Sequence, residues 1–142
     1  MGVMKHPGLF DFVRRMDDLQ EKGDPLVRLN EIIPWEEFRP LLRRVVKKEE
    51  GAAGRPAYDV VLMFKILVLQ RLYDLSDAQM EYQVKDRLTF MRFLEFDFLT
   101  DVPDEKTIWN FREKLKEKGL ARKLFQRFNR LLEEHGYISK PV

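Results

Sequence analysis

The chain has 142 residues, of which 44% are hydrophobic and 35% are charged, and its formal net charge is +2. These values are typical of one folded domain with a hydrophobic core and a strongly solvated surface. The chain has no cysteine and only two histidines, which excludes a disulfide framework and a zinc site built from cysteine and histidine. Its start lacks the apolar region of a signal peptide, and its longest apolar stretch, VVLMFKILVL, is broken by Lys65 and is too short to span a bilayer. We therefore expect a soluble, intracellular protein.

Apolar residues recur at helical spacing along the whole chain, and no segment alternates in the way a strand does. The predicted fold class is therefore all-α, a compact multi-helix bundle. Residues 1–50 are predicted to form N-terminal helices that brace this bundle. The first is GLFDFVRRMDDLQEKG, and the second is capped by Asp24 with Pro25 at its first position. The third begins at Pro34, and Pro40 is expected to kink or split it.

Residues 51–56, at the end of EEGAAGRP, are predicted to be a linker, and residues 57–142 to be the helical core, with one folded domain overall. The segment AYDVVLMFKILVLQRLY is apolar nearly all round, which is typical of the central, buried helix of a bundle. Ser76 and Gln79 have the spacing of a capping box and predict the start of the next helix. A short aromatic helix, LTFMRFLEF, is predicted to follow.

Two longer helices complete the pattern. DEKTIWNFREKLKEKG is predicted to run to Gly119, a typical residue for a helix end. LARKLFQRFNRLLEEHG is predicted to be amphipathic, with an apolar stripe of Leu120, Leu124, Phe128 and Leu131. Residues 104–142 hold ten Lys and Arg against six Asp and Glu, so the basic surplus of the chain lies in this part.

The helix in DEKTIWNFREKLKEKG has two contrasting sides. At about 100° per residue, Ile108, Phe111 and Leu115 cluster within about 60° and are expected to face the core. Trp109 lies outside this stripe, on a flank. One interpretation is that Trp109 covers a neighbouring helix. The other is that this side of the helix lies against something charged.

The functional interpretation is a helix-turn-helix unit, in which the second of two packed helices enters the major groove of DNA. Short polar and cationic side chains near the helix start would contact base edges, because Asn suits adenine and Lys suits guanine. Flanking cations would contact phosphates and set the register. The predicted base contacts are Lys106, Thr107 and Asn110, the predicted phosphate contacts are Arg112, Lys114 and Lys116, and Trp109 is predicted to pack on a sugar or a thymine methyl group.

Two long motifs extend this interpretation: GRPAYDVVLMFKILVLQRLYDLSDAQMEYQVKDRLTFMRFL and, after it, VPDEKTIWNFREKL. Together they resemble the N-terminal domain of bacterial insertion-sequence transposases of the IS-five type, closely over about residues 54–118. The resemblance implies an all-helical domain with a helix-turn-helix-like unit that binds the terminal inverted repeats of the element. One departure is that EFDFLTD stands where the family pattern leads us to expect a glycine after the RFL segment.

In such transposases this domain is followed by a catalytic domain of RNase H-like fold, whose Asp-Asp-Glu triad performs two-metal phosphoryl transfer. This chain ends at GYISKPV, about where the first catalytic strand is expected, so we expect the catalytic domain to be absent and this chain not to be an enzyme. The acidic clusters are interpreted as helix caps and solvated faces, and no phosphate loop or nucleophile–base pair is indicated. No cofactor, metal ion or small-molecule substrate is expected.

The predicted function is sequence-specific binding of double-stranded DNA, namely the terminal inverted repeats, by a cytoplasmic, nucleoid-associated bacterial protein without membrane contact. Two alternatives stay open. In one, the aromatic segment LTFMRFLEFDFL and the last helix pair two copies into a homodimer, as synapsis of two element ends would require. In the other, the chain is a stand-alone DNA-binding regulator derived from a transposase. Further phosphate contacts are predicted at Arg55, Lys85, Arg87 and Arg92.

Overall fold

The structure, a computed structural model, describes residues 24–46, 58–96 and 100–136. Within these ranges the chain forms α-helices and one 3-10 helix and no strand, which confirms the predicted all-α class. The predicted helix before residue 24 and the predicted linker 51–56 lie outside the described residues. The elements are α1 (Pro25–Ile32), the 3-10 helix (Trp35–Phe38), α2 (Arg39–Val46), α3 (Val60–Tyr73), α4 (Asp77–Asp86), α5 (Leu88–Leu94), α6 (Glu105–Glu117) and α7 (Ala121–Glu134).

The first helices follow their sequence signals closely. The Asp24 carboxylate accepts the backbone N–H of Leu26 at 3.0 Å, and Pro25 opens α1, as predicted. The third predicted helix is split, because its first turn is the 3-10 helix and α2 follows directly. Pro40 is the second residue of α2, where a missing N–H is tolerated.

Helix α3 is the centre of the bundle, as its composition predicted. It begins after Asp59, whose carboxylate accepts the N–H groups of Val61 and Leu62, each at 3.1 Å. Eleven of its 14 residues are buried. It ends at Asp74, which has a left-handed φ of 55°. Helices α2, α4, α5 and α6 all pack against it.

The capping box predicted for α4 is confirmed. The Ser76 hydroxyl accepts the N–H of Gln79 at 3.1 Å, and the Gln79 side chain accepts the N–H of Ser76 at 2.8 Å. Helix α5 ends at Glu95, which has a φ of 62°. Glu95 is the first residue of EFDFLTD, the stretch in which the resemblance leads us to expect a glycine, and glycine adopts a φ of this sign without strain.

Helices α6 and α7 bury the faces that their periodicity predicted, with one correction. Ile108, Phe111 and Leu115 of α6 are buried, and so are Leu120, Leu124 and Phe128 at and within α7. The predicted next residue of the α7 stripe, Leu131, is only partly buried. Leu132 is fully buried instead, because the stripe continues at intervals of four residues. A three-residue turn, 118–120, joins the two helices, and its Gly119 has a φ of 68°.

An aromatic cluster in the core joins early and late parts of the chain. Trp35 stacks on Phe128 of α7 with ring centroids 5.9 Å apart, and it meets Phe64 and Phe93 edge-on at 6.1 and 5.7 Å. The ion pair between Arg127 and Glu37, at 2.8 Å, lies on the same contact. The core is therefore built from both sides of the predicted linker.

One charged side chain lies inside this cluster. Lys65 of α3 is buried, and its Nζ donates a hydrogen bond to the carbonyl oxygen of Phe93 at 2.7 Å. Asn30 Nδ2 donates to the same oxygen at 3.3 Å, and Trp35 Nε1 donates to Asn30 Oδ1 at 2.9 Å. Burial lowers the pKa of Lys65 to about 8, against a smaller opposing effect of the Glu95 charge.

Candidate nucleic-acid interface

Helix α6 is held firmly, so its outer side chains have defined positions. The Asp104 carboxylate accepts the N–H of Thr107 at 2.8 Å and caps the helix. The backbone N–H of Glu105 donates to the Glu81 carboxylate of α4 at 2.9 Å. The start of α6 is thereby tied to its neighbour, while Ile108 and Leu115 fix its inner face in the core.

Three of the predicted DNA contacts project from α6 into solvent. Lys106 and Asn110 are exposed, and half of the Trp109 surface is accessible. Thr107 is half-buried, and its backbone N–H is used in the cap. Half of the Trp109 side chain is therefore left uncovered by neighbouring helices. The outer face of α6 carries an aromatic ring, an amide and an ammonium group together.

The structure gives Arg112 a different setting from the phosphate contact that was predicted. Its Nη1 and Nη2 donate to the two carboxylate oxygens of Asp77 at 2.7 Å each. Gln70 completes the group, since its Nε2 donates to the same carboxylate at 2.7 Å and its Oε1 lies 3.3 Å from Arg112 Nη1. The hydrogen bonds from Arg112 hold the pKa of Asp77 below its usual range. Arg112 thus joins α6 to α4 and α3, on the flank of α6 that faces α4.

The other predicted phosphate contacts of α6 are also engaged within the protein. Lys116 is exposed and pairs with Glu113 at 3.1 Å. The Lys116–Glu113 pair contributes little to stability, because Lys116 is exposed to solvent, and Lys116 can exchange Glu113 for another anion. Lys114 is half-buried and has contacts within the protein.

Outside α6, the described residues among the predicted phosphate contacts lie at different places on the molecule. Lys85 pairs with Glu81 at 3.2 Å and so lies beside the start of α6. The guanidinium of Arg87 lies over the Phe90 ring, and Arg92 pairs with Asp24 at 2.9 Å on the α1 side of the molecule. Arg55 lies outside the described residues.

The packing around α6 bears on the predicted helix-turn-helix. Helix α6 packs on α4, α3 and α7, and residues 95–104 separate it from α5, the preceding helix. A helix-turn-helix joins its helices by about three or four residues, often including glycine. The connections of that length next to these helices are 74–76, before α4, and 118–120, after α6.

A comparison with known protein families matches residues 14–114 to the transposase domain DUF772. The chain belongs to this transposase family. No solved structure matches the chain. The family match covers α1 to α5 and most of α6, and it ends before α7.

Sequence reasoning did not single out the cations around α7, which lies beyond the residues that match the transposase domain. Exposed cations occur in the turn before α7 and along its outer side, and none of them makes an ion pair with a described residue. They are Lys118, Arg122, Lys123 and Arg130. The signal that could have found them was the basic surplus of residues 104–142.

Two further properties of the transposase domain concern metal ions and membranes. In the described part of the chain, no group of three or more His, Asp or Glu side chains is placed to hold a metal ion. Among the helices of these same ranges, none has both the length and the apolar character required to cross a bilayer.

Proposed function

We propose that this transposase domain binds double-stranded DNA sequence-specifically, as the N-terminal, IS-five-type module that recognises the terminal inverted repeats of an insertion sequence. The observation that carries the proposal is the outer face of α6. Lys106, Trp109 and Asn110 stand exposed on a helix whose other side is fixed by core packing, a cap and an ion pair. Rigid placement of polar groups is what direct contact with base edges requires.

Each exposed group has a suitable partner in the major groove, which is wide enough to admit an α-helix. The Asn110 amide can bond to both N6 and N7 of adenine, and the Lys106 ammonium can donate to O6 or N7 of guanine. The Trp109 ring can pack on a sugar or a thymine methyl group. The exposed Lys116 can exchange its half-buried partner Glu113 for a phosphate.

The domain is proposed to supply recognition and not strand cleavage. The resemblance assigns cleavage to a separate RNase H-like domain with an Asp-Asp-Glu triad. Two acids at the starts of α6 and α4 have structural roles that support this division, since Asp104 is a cap and Asp77 binds Arg112. The proposal therefore concerns which DNA is chosen and where the domain docks on it.

The alternative function, pairing of two copies into a homodimer, stays a prediction, and no observation on the described residues favours it over DNA recognition. The aromatic segment that was predicted to pair two copies packs largely inside the core, because Phe90, Met91, Phe93 and Leu94 are buried. Among the described residues of this segment, Leu88 is an exposed apolar side chain. Light scattering over a concentration series measures the oligomeric state directly.

The test of the proposed function starts from DNA of unknown sequence. Duplexes are selected by the full chain from a pool with a randomised centre, and the enriched duplex is labelled for fluorescence anisotropy beside a scrambled duplex of equal composition. We expect the enriched duplex to bind at least tenfold more tightly across a salt series, because base contacts add to the phosphate term. Failure to enrich any sequence, or equal affinity for both duplexes, would contradict sequence-specific recognition.

A further inference from the structure

The outer side of α7 is basic, and its exposed cations Arg122, Lys123 and Arg130 make no ion pair with the described residues. Between residues 121 and 132 the helix carries four cations and no acid, and its first acidic residue is Glu133. The opposite side of the helix is the apolar one, with Leu124, Phe128 and Leu132 fully buried. Cations and core residues therefore lie on opposite sides of α7.

The cations of α7 differ from those of α6 in how they are paired. On α6, Arg112 and Lys116 have carboxylate partners at 2.7 and 3.1 Å. We define the α7 basic face as the exposed cations without an ion pair among the described residues, namely Lys118, Arg122, Lys123 and Arg130. Arg127 is not part of it, because it is bound to Glu37. An unpaired cation can bind an anion without first breaking an internal contact.

The spacing of the α7 basic face suits an extended partner. Lys123 and Arg130 are seven residues apart, so they lie nearly in line on the helix surface and about 10 Å apart along its axis. Exposed Gln126 lies between them on the same side. Lys118 extends the cations into the three-residue turn that leads from α6. The face is therefore a row and not a pocket.

We infer that the α7 basic face is a second DNA-contacting surface, which binds the sugar-phosphate backbone while α6 contacts base edges. Charge complementarity selects this occupant: duplex DNA presents about one negative charge for every 1.7 Å of its axis, so a row of cations meets phosphates along its whole length. Contacts of this kind position a protein on DNA and carry no sequence information. The inference rests on the proposed function, because it assigns a second contact to the same DNA complex.

The experiment compares two charge-matched double variants of the full chain. Lys123→Gln with Arg130→Gln removes two cations of the α7 basic face. Arg43→Gln with Arg44→Gln removes two exposed cations of α2 and is the control for total charge. Anisotropy is measured for the enriched and the scrambled duplex over a salt series, after circular dichroism has shown equal melting temperatures.

We expect the α7 variant to lower the slope of log affinity against log salt by roughly 0.9 for each contact removed. The slope should fall equally on the two duplexes, so that their affinity ratio is unchanged, and the α2 variant should keep the wild-type slope. A wild-type slope for the α7 variant, or equal losses in the two variants, would overturn the inference.

These outcomes are separable from a failure of the proposed function itself. If the wild-type chain does not distinguish the two duplexes, sequence-specific recognition fails whatever α7 does. If the wild-type chain distinguishes them and the α7 variant binds with an unaltered slope, recognition stands and only the α7 basic face is removed from the DNA complex.

Discussion

Glu95 is a residue whose conformation conflicts with its side chain. It ends α5 with a φ of 62°, in the left-handed region that costs an L-residue about 1–2 kcal/mol. We expect Glu95→Gly to be more stable than Glu95→Ala by about 1 kcal/mol, because both variants remove the charge and only glycine removes the Cβ atom. Urea unfolding of the two variants measures the difference. An alanine variant as stable as the glycine variant would show that the backbone at this position is not strained.

Asn110 is the residue on which the proposed base contacts depend most. We expect Asn110→Ala to lower the affinity ratio between the enriched and the scrambled duplex by about tenfold or more, since a good bidentate contact discriminates by about 1–3 kcal/mol. Gln126→Ala removes an exposed amide of α7 and should leave that ratio unchanged. Anisotropy on the two duplexes measures both variants. Equal discrimination by wild type and Asn110→Ala would take this side chain out of base recognition.

At the residue scale, local patterns predicted inner positions better than outer ones. Ile108, Phe111 and Leu115 were found from their spacing, because a core-facing stripe follows from helix geometry alone. The role of Arg112 was not found in this way, since its partner Asp77 lies 35 positions earlier in the chain. A long-range ion pair leaves no periodic signal in the sequence.

At the scale of elements, an ion pair joins α6 to α4 in addition to the hydrogen bond from the Glu105 N–H to Glu81. Arg112 and Asp77 are both partly buried, and they form two parallel hydrogen bonds between these helices. We expect Arg112→Gln and Asp77→Asn each to lower the free energy of unfolding by about 1–2 kcal/mol, a value reduced for partial solvent exposure. The double variant should lose less than the sum of the two. Additive losses would mean that the pair does not couple the helices.

The same pair has a pH dependence with a definite sign. The pKa of Asp77 is lowered from 3.8 by its hydrogen bond with Arg112, so the folded state binds this proton less readily than the unfolded state. The contribution to stability is therefore complete above about pH 4, and it is lost as the pH falls through the lowered pKa. Wild type and Asp77→Asn should converge in stability at low pH.

The ends of the elements were predicted where the cause is local. The caps of α1, α4 and α6 depend on residues within the first turn, and glycine with a positive φ ends α6. The sequence predicted that the helix containing Pro40 would be kinked or split. It did not predict that the first part of this helix would be a 3-10 helix, because that part has Trp35 and Phe38 packed in the core. Which short connection would belong to the predicted helix-turn-helix depends on angles between helices, which a periodic pattern does not contain.

For the whole molecule, the buried Lys65 links stability to pH. Its pKa in the folded protein is about 8 against an ordinary value of 10.5, so the unfolded chain binds more protons between these values. Stability should therefore rise as the pH increases from 8 to 10.5, by at most roughly 3 kcal/mol. Below pH 8 the full cost of the buried charge is present.

Lys65→Met is the matched variant for this prediction, because it keeps an unbranched side chain only one atom shorter and removes the charge. Urea unfolding of both proteins over that pH range isolates the contribution of Lys65, since tyrosine ionisation is common to the two. Parallel curves for wild type and Lys65→Met would contradict the prediction. The Phe93 carbonyl keeps its hydrogen bond from Asn30 in the variant.

The all-α class and the central position of α3 could be predicted because an almost uniformly apolar helix has only one place in a bundle. The pairing of the helices could not be predicted. Trp35 and Phe128 stack although 93 positions separate them, and aromatic residues at helical spacing do not specify their partners. The same holds for the candidate site. The sequence predicted a functional role for α6, but it did not predict one for the basic side of α7.

The stacking of Trp35 on Phe128 has a consequence for synthesis. During translation the segment 24–96 is synthesised before α7, so the contact between Trp35 and Phe128 is missing until then. Hydrophobic surface that is exposed during synthesis favours aggregation. The contacts of α7 with Trp35 and Phe38 can form only after α7 has been synthesised.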